Sequence, residues 1–312
     1  MRGTSHQSRT RWRIGVLATV LFAAAPAASQ DYGDTPYVQT PQHVVDKMLE
    51  IAKVGPKDYV IDLGSGDGRM IITAAKKYGA RGFGVDLDKR LVVLSNKLAA
   101  KAGVAKRAVF YARDLHETDV SAATVMTIYL LPEVNLMVRP KLLATLKPGT
   151  RIVSHDYDMG EWQPDLALIL DAPDKPVGRD FKSKVFYWVV PGKASGKWRW
   201  QLAIDGKVEV FELTLSQYFQ KIGGTLIVAG RSLKLEDAKL TGERIDLVAT
   251  GASGGEALRY EFSGRIINHA LDGEARIVRK QGSLQLPWNA TRTELIEPAH
   301  AALKAPPMPL LQ

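Results

Sequence analysis

The apolar periodicity of the chain changes near Pro191, and this change constrains the fold more than any other feature of the sequence. Before it, helical 3.6-residue spacing alternates with short unbroken apolar runs of the kind that form buried strands. Thr40-Pro41 is a helix start, with a hydroxyl at the N-cap and proline at the first helical position. Val44, Val45, Met48, Leu49 and Ala52 then share one helical face. Strand character follows at residues 59–63, 82–87, 108–112, 124–131 and 151–155, with one further strand at 184–190. Helical character falls between the strands at 69–78, 91–102 and 133–146, the last interrupted near Pro140. Strands and helices taking turns imply βαβ units, and so an α/β fold: a Rossmann-like, doubly wound parallel sheet with helices on both faces.

After Pro191 only strand spacing remains. Residues 198–204, 208–218, 224–228, 232–240, 244–250, 258–266 and 270–278 are short alternating segments separated by turn signals such as Asp205-Gly206 and Asp272-Gly273. A series of strands at this spacing, with no helix between them, predicts a C-terminal antiparallel all-β domain, either a sandwich or a small barrel. Trp198, Trp200 and Trp288 are expected as its core anchors.

The first residues carry an address. Arg2, Arg9, Arg11 and Arg13 precede an apolar run over residues 14–25, and Ala25-Pro26-Ala27 is a small-x-small cleavage site. Basic region, short apolar region and cleavage site together are the layout of a secretory signal peptide, too short for a comfortable membrane span. The expected organisation is therefore a signal peptide at 1–29, an α/β domain at 30–192, a β-rich domain at 193–297 and a flexible Ala/Pro-rich tail at 298–312. Export to the periplasm or cell envelope is expected, and a cytoplasmic address if the start codon lies further downstream. Without residues 1–29, which hold four arginines and no acid, the formal charge of +9 falls to about +5. Such a mildly basic chain, with no Lys/Arg block interleaved with aromatics, does not point to a nucleic-acid partner. The sequence has no cysteine, which excludes disulfides, thiolate catalysis and Cys-ligated zinc.

The chemistry concentrates in VIDLGSGDGR, residues 60–69, where the first strand runs into a glycine loop that opens a helix. Glycines let a ligand approach the backbone, and a helix N-terminus supplies free N–H groups. A dinucleotide fingerprint starting at Gly64 and Gly66 needs glycine at 69, where Arg69 stands. The third glycine is Gly68 instead, and Asp67 inside the loop repels a pyrophosphate. A ligand with a cationic centre and no phosphate fits better, and S-adenosylmethionine is such a ligand.

These residues resemble motif I of the class I S-adenosylmethionine-dependent methyltransferases. Asp86 in GVDLD lies 22 residues beyond Gly64, where that family places a carboxylate on the ribose hydroxyls. Asp114 in YARDL is placed like the acid that accepts from the adenine amino group, and LKPGT resembles the family's turn before its fifth strand. The resemblance implies S-adenosylmethionine held by Thr40, Asp62, Gly64, Ser65, Gly66, Gly68, Asp86, Leu87, Asp114 and Leu115. Over residues 37–165, YVQTPQHVVDKMLEIA, YLLPEVNLMVRPKL and LKPGTRIVSHDYDMGEW resemble a bacterial group related to the mitochondrial lysine methyltransferases of the adenine nucleotide translocase and the ATP synthase c subunit. That implies a protein lysine as acceptor, with possible membrane proximity. Two alternatives stand beside it: a small-molecule methyltransferase, or an envelope binding protein whose α/β half is a relict.

The acceptor is expected beyond the fourth strand, at the crevice of the open sheet. Tyr129 either lines the sulfonium and amine or packs in the core; Asn135 either orients the acceptor or faces solvent. His155, Asp156 and Asp158 crowd the end of the fifth strand as a polar rim, with His155 a candidate catalytic residue. No other of the six histidines has ligand spacing to His155, so no metal is expected.

Overall fold

The computed structural model describes residues 37–303, apart from Arg179, Gly254 and Gly255; the expected signal peptide lies outside the described residues. Four helices and seven strands come first: α1 (Gln42–Ile51), β1 (Tyr59–Leu63), α2 (Arg69–Lys77), β2 (Arg81–Asp86), α3 (Lys89–Lys101), β3 (Ala108–Ala112), β4 (Val125–Ile128), α4 (Pro132–Thr145), β5 (Arg151–His155), β6 (Leu166–Asp171) and β7 (Lys182–Val189). The sheet order is β3-β2-β1-β4-β5-β7-β6. The first five strands pair in parallel, and β7 runs antiparallel between β5 and β6.

Alternation along the strands divides the core between two faces. Val60, Val125 and Val153 pack under α1, α2 and α3, whereas Ile61, Met126 and Ile152 pack with Val138 and Leu142 of α4. Strands apolar on both sides are what a sheet covered by helices requires. Two details differ from expectation. Pro140 sits inside an unbroken α4. β6 carries no sequence signal because its LALILD run neither alternates nor is buried; it is an edge strand, with Ile169 68% exposed.

The second half is β8 (Gly196–Ile204), β9 (Lys207–Tyr218), β10 (Lys221–Val228), β11 (Arg231–Thr241), β12 (Arg244–Ser253), β13 (Glu256–Ile267), β14 (Ala270–Arg279) and β15 (Gly282–Leu295). They close into an antiparallel barrel, with β15 pairing β8. The eighth strand, β15, was hidden by Pro287, a residue that argues against a strand interior. An eight-stranded barrel is narrow enough for side chains to fill, and here aromatic rings occupy its interior. Trp200 stacks on Phe211 at 5.3 Å and meets Phe262 and Trp288 edge-on at 5.1 and 5.8 Å. Trp198, Trp200 and Trp288 are all buried. β8 alternates these apolar residues with Lys197, Arg199 and Gln201 facing outward, the reverse of a lipid-embedded barrel.

The barrel is joined to the sheet by a shared core. At the turn between β9 and β10, Phe219 takes φ +52 and enters the α4-side cluster. Its ring lies parallel to Trp162 at 5.7 Å and to His300 at 4.6 Å, and the Arg139 guanidinium sits 5.8 Å from its centroid. His300 comes from a 3-10 turn, Ala299–Ala302, and its Nδ1 accepts from the Phe219 N–H at 2.7 Å. The start of the expected flexible tail is thus folded against the barrel junction. Gln217 adds a polar tie, accepting from Ala194 N–H at 2.7 Å and donating to the Gly192 carbonyl at 2.9 Å. Phe219→Ala should cost about 3–5 kcal/mol in guanidinium unfolding; a loss below about 1 kcal/mol would mean the ring is not a packed core element.

Candidate cofactor and acceptor site

β1 is paired on one side with β2 and on the other with β4, so the chain leaves its C-terminal edge in opposite directions on the two sides. This switch of strand order opens a crevice beyond the strand ends, the usual ligand position in open α/β sheets. The glycine loop lines it. Gly64, Gly66 and Gly68 all take positive φ (75°, 53° and 79°), the region that disfavours other residues. At Gly66 and Gly68 space adds to conformation: a Cβ would lie 2.4 Å from the Tyr37 ring and 2.5 Å from the Phe110 ring. Ser65 is buried, and its N–H donates to the Val85 carbonyl at 2.9 Å.

The four acids of this region have different environments. Asp62 is buried at the end of β1 and accepts from the Thr127 hydroxyl at 2.7 Å. Burial, with a smaller contribution from the charges of Asp86 and Asp67, pushes its carboxyl up to about 8. Asp67 is raised by burial, but the hydrogen bonds and charge of Arg69 outweigh this and leave it below its ordinary value. The Arg69–Asp67 pair closes at 2.6 Å, and Arg69 also donates to the Thr40 carbonyl at 2.7 Å. Asp67 therefore presents a paired charge, and its repulsion of a phosphate is weaker than the sequence suggested. Arg69 uses it to fasten residues 37–40 across the loop.

Asp86 spans two backbone donors, accepting from Gly66 N–H at 2.8 Å and Asp88 N–H at 2.9 Å. Leu87, next to it, is 54% exposed and offers an apolar face. Asp114, just after β3, accepts from His116 N–H at 2.7 Å, and Lys141 holds the same loop by donating to the carbonyls of Leu115 (3.0 Å) and His116 (2.6 Å). The strand ends thus gather Asp62, Asp86 and Asp114 around a glycine loop. The donor set fits S-adenosylmethionine: carboxylates suited to an amino group, a ribose diol and an exocyclic amine, beside an apolar face for a purine.

On the other side of the crevice, Tyr129 follows β4. Its ring lies 4.1 Å from that of His155 and its hydroxyl donates to Asp156 Oδ2 at 3.1 Å. Burial and the Asp156 charge push its phenol well above the ordinary range. Two of the other residues expected near the acceptor, His155 and Asn135, are buried supports. His155 is fully buried beneath Tyr129, its Nδ1 3.1 Å from Thr40 Oγ1 and its Nε2 2.9 Å from Ser183 Oγ. Burial lowers it to about 4, so it is neutral near pH 7 and acts as a support, not a rim residue. Asn135 is also fully buried. Instead of facing solvent or an acceptor, it donates to the carbonyls of Tyr157 and Asp158, each at 3.2 Å, and clamps the segment after β5. Arg139 extends the clamp to the Met159 carbonyl at 2.8 Å. Among the described residues no group of three or more His, Asp or Glu is arranged to hold a metal. Lys175, which reaches Asp156 at 2.8 Å, had no sequence signal: its partner lies on another element.

Fold, loop and acid set define a class I S-adenosylmethionine-dependent methyltransferase. A model of the ANTKMT methyltransferase domain matches residues 62–166. A protein-lysine N-methyltransferase of Saccharolobus islandicus is 48% identical over 130 residues, which cover 41% of this chain and 81% of that protein. The chain belongs to this family of ANTKMT-type methyltransferases. The mouse adenine nucleotide translocase lysine N-methyltransferase is 31% identical over 141 residues, covering 45% of this chain and 60% of that one. Among solved structures, an RNA methyltransferase from Salinibacter ruber in complex with S-adenosyl-L-homocysteine is 48% identical, with a TM-score of 0.45, covering 49% of this chain and 93% of its own. The barrel strands lie beyond the family match, which ends at residue 166.

Asp86→Ala should weaken S-adenosylmethionine binding by at least tenfold, about 1.4 kcal/mol, in calorimetry; an unchanged affinity would remove Asp86 from the cofactor site. Asp62 sets a pH dependence. Its folded pKa is raised from an unfolded value near 3.9 to about 8. Its contribution to the stability of the ligand-free protein is therefore complete below pH ~4 and is lost as pH rises to ~8. Asp62→Asn should flatten that decline in urea unfolding, and parallel curves for the two proteins would show the carboxyl ionised throughout.

Proposed function

We propose that this chain transfers a methyl group from S-adenosylmethionine to the side-chain amine of a protein lysine. The observation that carries the reading is the 48% identity to a protein-lysine N-methyltransferase across 81% of that protein's length. The crevice chemistry supports it. The cofactor supplies an electrophilic methyl on a sulfonium, and in-line displacement asks the protein for position and exclusion of water. Thr40, Asp62, the three loop glycines, Asp86, Leu87 and Asp114 would hold the cofactor, with Tyr37 over the loop. Tyr129 would line the entry of the amine, and no fixed general base is required once the amine is uncharged.

We further propose that residues 1–29 export the enzyme to the cell envelope, on the strength of the arginine-led apolar run and its cleavage site. The consequence is a demand for S-adenosylmethionine outside the cytosol. One comparison addresses acceptor and compartment together: mass spectrometry of envelope proteins from wild-type and deletion strains. A methyl-lysine missing from the deletion strain is the expected result. Identical lysine methylation in the two would favour a small-molecule acceptor, with the barrel helping to shape its pocket.

A further inference from the structure

Asp156, the first residue after β5, has a left-handed backbone, φ +62. Non-glycine residues in this region are uncommon and collect at functional sites. One backbone bond and one side-chain bond tie it to β7: Asp156 N–H donates to the Lys184 carbonyl at 2.7 Å, and Lys184 N–H donates to Asp156 Oδ1 at 3.0 Å. This leaves Oδ2 as the focus of the acceptor side. It accepts from the Tyr129 hydroxyl at 3.1 Å and pairs with the Lys175 ammonium at 2.8 Å.

Lys175 does not come from the sheet. It belongs to the turn between β6 and β7, whose last paired residues are Asp171 and Lys182. Because β6 runs in the same direction as β5, this turn overhangs the edge where the glycine loop lies. The Lys175 side chain is 9% exposed, and its ammonium also donates to the Lys182 carbonyl at 2.7 Å. Tyr129 ties the cluster to the loop, its carbonyl oxygen lying 4.0 Å from where a Cβ of Gly64 would stand. The acceptor side thus contains a cluster of oxygens that already holds a primary ammonium, supplied by the chain itself.

We propose that Asp156 and Tyr129 form the seat for the ammonium of the acceptor lysine, and that Lys175 is a tethered occupant which the incoming lysine displaces. The inference rests on the lysine-transfer reading above and adds where the lysine docks. Exchange of one ammonium for another leaves Asp156 paired throughout, so entry avoids exposing an unpaired half-buried charge. A tethered competitor acts at an effective concentration on the order of millimolar. An isolated lysine side chain then binds poorly, and a good acceptor needs contacts beyond its amine. The seat binds the charged form; the proton passes to water before transfer.

The test uses the full chain saturated with S-adenosylhomocysteine and titrated with Nα-acetyl-lysine methylamide by NMR. Lys175→Met should bind this probe at least fivefold more tightly than the wild type. Adding Asp156→Asn should abolish the gain, and Asn accepts the left-handed backbone as Asp does. The uncharged norleucine analogue should show no gain. Equal affinities of wild type and Lys175→Met, a gain that survives Asp156→Asn, or an equal gain for norleucine would each overturn the seat. A tight, Asp156-dependent complex that gives no methyl-lysine when S-adenosylmethionine replaces S-adenosylhomocysteine would leave the seat standing and remove the lysine-transfer reading.

Discussion

The pairing of β1 with β2 on one side and β4 on the other is the constraint on which the site depends. Parallel strands need crossovers, and crossovers that diverge from one central strand leave its C-terminal end uncovered. Everything chemical in this chain is placed relative to that opening. The glycine loop leaves β1, Asp86 ends β2, Asp114 follows β3, Tyr129 follows β4, and Asp156 follows β5. Five strand ends lie along one edge because β1 to β5 pair in parallel.

Around the opening, charges are mostly matched before any ligand is considered. Asp67 is neutralised by Arg69, and Asp156 by Lys175. Asp62, which has no cation beside it, resolves its burial by holding a proton instead. Asp86 and Asp114 differ: their carboxylates accept from backbone N–H groups, Asp86 from Gly66 and Asp88 and Asp114 from His116, which fixes their orientation.

Much of this was legible in the sequence, for identifiable reasons. The βαβ alternation could be read because the parallel strands are buried on both faces and the helices on one. The glycine loop could be read from its position between a strand and a helix, and Asp86 and Asp114 because they fall where the methyltransferase family that the sequence resembles places its acids. What could not be read depends on pairings distant in sequence. His155 looked like a rim residue because local sequence does not say that Tyr129 covers it, and Asn135 looked like an acceptor-orienting or solvent-facing residue because its partners are main-chain carbonyls more than twenty positions away. β6 and β15 were missed because one lacks alternation and the other contains proline. Lys175 and Phe219 belong to turns, where period carries no information.

Phe219 has a consequence for how such a chain can be divided. A barrel with its own aromatic interior has the makings of an independent module, yet its hairpin carries a ring that completes a hydrophobic cluster belonging to the sheet. Cutting the chain after β7 would uncover Trp162 and strip Arg139 of the ring it faces, beside the segment that Asn135 and Arg139 clamp. The two halves are therefore not interchangeable parts: a recombination event that transplanted the catalytic half alone would also have to supply a substitute for one phenyl ring.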